Sequence, residues 1–402
     1  MKTEIKQRIE QIRRGEVPER YVKTALGLAP ANWKRYTFGD IYTERKEPGD
    51  ENLPLLMVSI HSGVSDGEVD AAELPKQVKR IEDKSQYKKA VSGDLVFNMM
   101  RAWQGAIGTA RTTGMVSPAY IVAEPNDKVY PLFMDYYSRT PQMINQIDRQ
   151  SYGVTDFRKR LYWDSFVPIG CILPPIEEQR KIAAILTTQD KVIELKEKRL
   201  VEKQRQKKYL MQQLLTGKKR LPGFAFEVEK TNIKAISTYS VSTISQTMLE
   251  SYEGKQLYPV FNANSIAGYV DFYENECPYI SIIKDGAGIG RVRLCEAKSS
   301  TIGTMGCIHA RKGISIIFLY YLLEQVDFNK YSNGSTIPHL YYKDYSCEKV
   351  RIPDIKEQTA IAEVLSTADR EIELLQQDIE QEKQKKKALM QLLLTGIVRV
   401  KT

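Results

Sequence analysis

The stretch RQSYGVTDFRKRLYW interleaves Arg149, Arg158, Lys159 and Arg160 with Tyr152, Phe157, Tyr162 and Trp163 around one glycine. Guanidinium and ammonium groups beside a Gly-containing loop suit contacts to phosphates and base edges, while aromatics at this density also serve as core. We expect the 151–160 loop to touch DNA. A second stretch, KDGAGIGRVR from Lys284 to Arg293, is rich in glycine. A nucleotide-binding P-loop would continue G-K-[ST], and a dinucleotide fingerprint would open a helix. Here basic and β-branched residues follow, so a turn between strands is expected. His309 and His339 read as packing or hydrogen-bonding residues, because Cys307-x-His309 is too short to argue for a metal.

The composition narrows the partners. The chain has 402 residues, 42% hydrophobic and 27% charged, with a formal net charge of +9. Its pI is about 9.0 and its mean hydropathy −0.40. This length suggests two globular units or more, and the positive balance favours a polyanion such as nucleic acid. No apolar run reaches the roughly 20 residues of a membrane span, and the opening MKTEIKQRIEQIRRGE lacks a signal-peptide core. Five cysteines without a C-x-x-C pair, and three histidines, suit free thiols in a reducing cytoplasm and no metal site. Walker A, H-E-x-x-H and G-x-S-x-G are missing, as are a base-holding N-P-P-Y or D-P-P-Y and a Gly-rich methyl-donor loop. A nuclease carboxylate–lysine cluster is too degenerate to decide by inspection. The expected role is binding rather than catalysis.

The elements that must carry these loops come from a repeat. Pro174–Gly217 aligns with Pro353–Gly396 without a gap, and about 21 of 44 paired positions are identical. Each copy opens with proline and acidic residues (LPPIEEQ, IPDIKEQ), lacks internal Gly and Pro, and closes in TG. That is a helix with its start and its glycine cap, about 60 Å long at 1.5 Å per residue. Leu186, Ile193, Leu200 and Leu214 fall on a heptad seam in the first copy, as do Leu365, Ile372, Ile379 and Leu393 in the second. Ile182, Leu210, Ile361, Leu375 and Leu389 form the other seam. Lys207 and Lys386 interrupt the main seam at matched positions, a device that fixes register. Gly217 leads at once through KKRLPGF into new globular sequence, a linker spanning at most roughly 25 Å, so the helices are expected to pair antiparallel.

Residues 30–173 and 222–352 alternate short apolar runs with Gly-rich turns and one helical segment each, near PLFMDYYSRTPQMINQI and ISIIFLYYLLEQV. SYGVT (151–155) resembles SNGST (332–336), and GAIGTAR (105–111) resembles GAGIGRVR (286–293). The expected fold is α+β: two globular domains separated by two long helices in an antiparallel intramolecular coiled coil. The boundaries are a helical segment over 1–29, a domain over 30–173, a helix over 174–221, a domain over 222–352 and a helix over 353–402.

Two variable units, each followed by P-x-I-x-E-Q-x-x-I-A-x-x-L and closing in L-L-T-G, resemble the specificity subunits of Type I restriction–modification systems. The similarity covers essentially the whole chain. It implies a reader of double-stranded DNA with one target-recognition domain per half-site, the helices setting the spacer. It also implies two methyltransferase (modification) subunits docked on those helices, and restriction motor subunits recruited through them. S-adenosylmethionine, ATP and Mg are then expected on the partners, with no cofactor in this chain. Matching the halves points to Arg101, Gln104, Arg111, Tyr152, Thr155, Arg158 and Lys159 as DNA contacts in the first domain, and to Lys284, Arg291, Arg293, Asn333, Ser335 and His339 in the second. The competing readings are a coiled-coil protein scaffold without sequence preference and a self-contained nucleic-acid enzyme.

Overall fold

In a computed structural model, residues 2–50, 52–60, 63–66, 86–154, 158–224, 229–334 and 337–400 are described. The chain forms two compact units, one of residues 1–195 with 379–402, the other of residues 196–378. The uninterrupted helices expected from the repeat are present as Ile176–Leu214 and Ile355–Leu394. Each gives one part of its length to each unit.

Both helices start behind proline, which cannot supply the N–H that a helix interior requires. Asp354 Oδ1 accepts from the backbone of Lys356 at 2.8 Å, satisfying a donor in the second helix's first turn. Both stop at a left-handed glycine, Gly217 with φ +67 and Gly396 with φ +72, a conformation costly for any residue with a Cβ. In the first unit Gln189 donates to Glu382 at 2.6 Å and Lys386 pairs with Asp190 at 2.6 Å. In the second, Lys196–Asp378, Lys203–Glu371 and Lys207–Asp369 pair at 2.8, 2.6 and 2.6 Å. Numbers fall on one helix as they rise on the other, so the pairing is antiparallel.

Inside the first unit, strands Tyr42–Glu44, Tyr120–Pro125, Leu95–Asn98 and Ile107–Thr109 form one antiparallel sheet in that spatial order. The second unit repeats the order with Ser237–Val241, Met305–Ala310, Tyr279–Ile283 and Val292–Cys295. The strand just before each long helix, Gly170–Leu173 or Lys349–Ile352, pairs antiparallel with a strand near its unit's start, Lys34–Thr37 or Glu229–Asn232. The chain is thereby closed on itself before each long helix begins.

The cores follow the same plan. Phe97, Phe133, Phe166 and Ile172 bury against Ile182, Leu186 and Leu393 in the first unit. Ile280, Ile308, Phe318 and Leu322 bury against Leu214, Ile361 and Leu365 in the second. Four seam residues, Leu186, Leu393, Leu214 and Leu365, therefore serve the globular cores. Ile193 and Ile379 are buried, and Leu200 and Ile372 are half-buried.

Two local expectations change. Within 1–29 only Lys2–Arg13 is helix, and Tyr21–Thr24 pairs with Gly27–Pro30 as a hairpin. Gly15 at φ +76 follows the helix end, and Pro18 cannot continue it. The single helical segment expected near 131–147 is two helices, Pro131–Tyr137 and Pro141–Gln150. Pro141 disfavours helical backbone in the residue before it, and Thr140 caps the new start, accepting from Met143 N at 3.4 Å.

Candidate nucleic-acid interface

Identical residues in the two long helices fix each unit to its mount. Gln179 Oε1 accepts from Tyr130 N at 2.8 Å, and its Nε2 donates to Lys128 O and Pro174 O, both at 2.9 Å. Gln358 repeats the pattern: Oε1 accepts from Ser315 N at 2.8 Å, and Nε2 donates to Gly313 O at 3.3 Å and Pro353 O at 2.9 Å. Both amides are 1% exposed, so all three polar bonds matter. One turn or more along, Tyr136 donates to Asp190 at 2.6 Å and Tyr321 to Asp369 at 2.7 Å. The two interrupting lysines complete these clusters: Lys386 lies over the Tyr136 ring and Lys207 over the Tyr321 ring. Burial first, then the Asp190 carboxylate, push the Tyr136 hydroxyl up to about 12. It stays a proton donor across the physiological range.

On this mount the first unit builds a tip from two segments. Leu161 N donates to Met99 O at 2.9 Å and Lys159 lies over the Trp103 ring, laying the described residues of the 151–161 segment beside the Met99–Gln104 turn. Tyr152 and Arg160 exchange backbone bonds at 3.1 and 3.0 Å, which makes the segment a hairpin. Arg101, Gln104 and Arg158 are exposed here, and Tyr152, 60% exposed, packs on Tyr162 with ring centroids 5.4 Å apart. Lys159 also pairs with Asp148 at 2.9 Å. Thr155 lies outside the described residues.

Arg111 is elsewhere. It pairs at 2.9 Å with Asp135, a carboxylate only 4% exposed that Arg139 also contacts. Burial works against the Arg111 charge, but Asp135 outweighs it and the pKa is raised. The strand register explains the misalignment of GAIGTAR with GAGIGRVR. Asn98 N bonds Ala106 O and Ile283 N bonds Arg291 O, so Gly105 matches Gly290 and Gly108 matches Arg293. Arg111 then matches Glu296.

The second unit makes the equivalent tip. Leu340 N donates to Lys284 O at 2.8 Å, as Leu161 does to Met99, and Asn333 pairs with His339 as Tyr152 does with Arg160. His339 Nδ1 lies 2.8 Å from Asp285 Oδ1, and Lys284 also bonds that carboxylate. Burial would raise the Asp285 pKa, yet the hydrogen bonds from Lys284 and His339 prevail and lower it. Asn333 donates to Tyr331 O and to Asp344, each at 3.2 Å. Arg291 donates to Ala263 O at 2.9 Å and Asn264 Oδ1 at 2.8 Å, and Arg293 lies 4.5 Å over the Phe261 ring. Ser335 lies outside the described residues.

The Phe261–Asn264 turn escaped the sequence reading. Its signal was FNANS, an Asn-rich break between apolar runs, where Asn262 Oδ1 accepts from the backbone of Asn264 and Ser265 at 2.9 and 2.8 Å. Arg220 and Arg399, at matched positions beyond the glycine caps, were missed too. Arg220 Nε donates to Glu357 at 2.6 Å, and Arg399 grips both oxygens of Glu178 at 2.7 Å. Among the described residues, no group of three or more His, Cys, Asp or Glu side chains could hold a metal.

Comparison with known proteins agrees with this architecture. The family model for the Type I restriction modification DNA specificity domain matches residues 225–384. The chain is 24% identical over 430 residues to a Methanocaldococcus jannaschii protein named as the type I restriction enzyme MjaX specificity subunit, covering 96% of this chain and 98% of that one. It is 22% identical over 361 residues to the MjaVIII specificity subunit of the same organism, covering 79% and 83%. The crystal structure of a Type I restriction–modification S subunit from M. genitalium superposes with a TM-score of 0.59 at 14% identity, over 92% of this chain and 97% of that one. A chain from a structural study of type I R-M complex assembly gives 0.55 at 17% identity, over 92% and 99%. Residues 225–384 thus match the Type I restriction modification DNA specificity domain, and the whole chain, with its repeat, doubled sheet order and antiparallel helices, is similar to Type I specificity subunits and shares the fold of the solved ones.

Proposed function

We propose that the chain reads a split DNA target, one half-site per unit, and carries out no chemistry itself. The observation that carries this reading is one construction made twice from different surface residues. In each unit the turn after a central strand lies beside a hairpin, and the matched hairpin pairs are Tyr152–Arg160 and Asn333–His339. The residues that hold each unit to the helices are the same, whereas those at the tips differ. Two half-sites of different sequence call for that division, since base edges are read by side chains and positioning is shared.

In this reading two modification subunits dock on the long helices and carry methyl transfer with S-adenosylmethionine. Restriction motor subunits using ATP and Mg join through them, all in the cytoplasm. Among the described residues no helix is long and apolar enough to cross a membrane. Leu195 and Leu374 support the docking. They occupy matched positions of the repeat, one in each unit, and are 65% and 58% exposed. A leucine held in solvent at the same place in both copies suits the apolar face of a partner helix. Leu195→Glu and Leu374→Glu should each release one modification subunit, read from the mass of the purified assembly. Full assembly by the double variant would remove these leucines from the interface.

The test of the reading is methylome sequencing in cells that carry the chain with its active methyltransferase subunit, against cells lacking only the chain. A split motif, modified in both halves and only when the chain is present, is expected. No new motif beside an active partner would overturn sequence reading and leave a coiled-coil scaffold in its place.

A further inference from the structure

We infer that the second unit reads a guanine with Arg293, held over the Phe261 ring at the mouth of a recess beside the 261–264 turn. This rests on the half-site reading above and assigns one base within it. The recess, about 260 Å³, is lined by Asn262, Asn264, Ser281, Arg291 and Arg293 among others. Its floor is the sheet face opposite the helix-covered core: Ser281 pairs with Arg293 in register, and Ile280 and Ile282 point to the core.

The two arginines have different duties. Arg291 spends Nη2 on Ala263 O and Asn264 Oδ1, so it stiffens the turn and is a positioning residue. Asn262 secures the same turn from within through its bonds to Asn264 and Ser265. Phe261 is thereby a fixed platform, 4% exposed. The exposed Arg293 lies over that ring, its guanidinium carbon 4.5 Å from the centroid, and among the described residues its guanidinium has no carboxylate or carbonyl partner. A guanidinium held over a ring keeps its plane while its N–H edge remains free, the geometry that matches guanine O6 and N7. A phosphate contact needs only charge and no such platform. The first unit has glycine at the matched position: a Cβ on Gly108 would lie 2.9 Å from Asp135 Oδ1 and 3.0 Å from Val64 N, so the Asp135 side chain and the 63–64 backbone fill that space.

The test uses the complex of this chain with its methyltransferase subunit, selecting from a random duplex library, with wild type, Arg293→Ala, Arg293→Lys and Phe261→Leu. Wild type should select a split motif with a guanine in the half assigned to residues 229–352. Arg293→Ala and Arg293→Lys should lose preference at that one position by about 10- to 100-fold. Phe261→Leu, still apolar, should weaken the same preference, and the other half should not change. Retention of the lost guanine by Arg293→Lys, or a uniform loss over all sequences with a salt slope smaller by about one, would make Arg293 a phosphate contact and overturn the inference. So would a half without guanine. A wild-type complex that selects no split motif would instead overturn the half-site reading itself.

Discussion

Replacing Arg399 by alanine is expected to destabilise the first unit by about 2–4 kcal/mol, read as a lowered denaturant midpoint of that unit. Glu178 is 1% exposed and sits in the first turn of the helix Ile176–Leu214. Arg399 meets both its oxygens at 2.7 Å, and Trp33 Nε1 donates to one of them at 3.2 Å. Truncating Arg399 leaves a buried carboxylate with the indole and the positive helix end as its remaining support. The expected loss lies below the range for a wholly buried pair because the Arg399 side chain is 30% exposed. Replacing both partners, Glu178→Gln with Arg399→Met, should recover part of the loss, since the uncompensated charge goes with the pair. If the double variant were as unstable as the sum of the singles, the ion pair would not be the cause. The matched pair Arg220–Glu357 lies in the second unit, whose unfolding should not move.

The long helices were legible because their signals are local: proline and acid at the start, apolar residues at heptad spacing, glycine at the end. Their antiparallel pairing followed from a linker too short for the other choice. What could not be read is what depends on partners remote in sequence. Gln179 and Gln358 look like ordinary first-turn residues, and only the fold brings Tyr130 N and Ser315 N to their side chains. The arginines at 220 and 399 were visible as a repeat past each glycine, but the intervening residues differ, so the alignment stopped short of them. At the tips, the hairpin equivalence of SYGVT and SNGST is borne by strand pairing. The apparent equivalence of Arg111 and Arg293 fails because glycines at similar spacing serve different turns. Counting glycines cannot tell Gly286 from Gly290, whereas the bond from Ile283 N to Arg291 O can.

Lengthening both helices by three heptads, inserted after Leu195 and after Asp378, is expected to lengthen the target's spacer by about nine base pairs and leave both half-site sequences unchanged. A smaller change would be four residues added to one helix. The pairs Gln189–Glu382 and Lys386–Asp190 in one unit, and Lys203–Glu371 and Lys207–Asp369 in the other, show why that is insufficient. Four residues added to one helix would move one set of pairs out of register, whereas whole heptads in both keep each set intact. One heptad adds about 10 Å at 1.5 Å per residue, close to three base pairs at about 3.4 Å each. DNA turns about 100° over that length, since a full turn takes about 10 base pairs, while a heptad turns a straight helix by only about 20°. A single heptad would therefore present the second tip to the wrong side of the duplex, and binding should be much weaker at any spacer. Three heptads add about 31 Å, nearly one DNA turn of about 34 Å, and bring groove and tip back into phase. Library selection with each variant in complex with its methyltransferase subunit gives spacer and affinity together. An unchanged spacer with three heptads, or an altered half-site sequence, would mean that something other than the helices sets the distance.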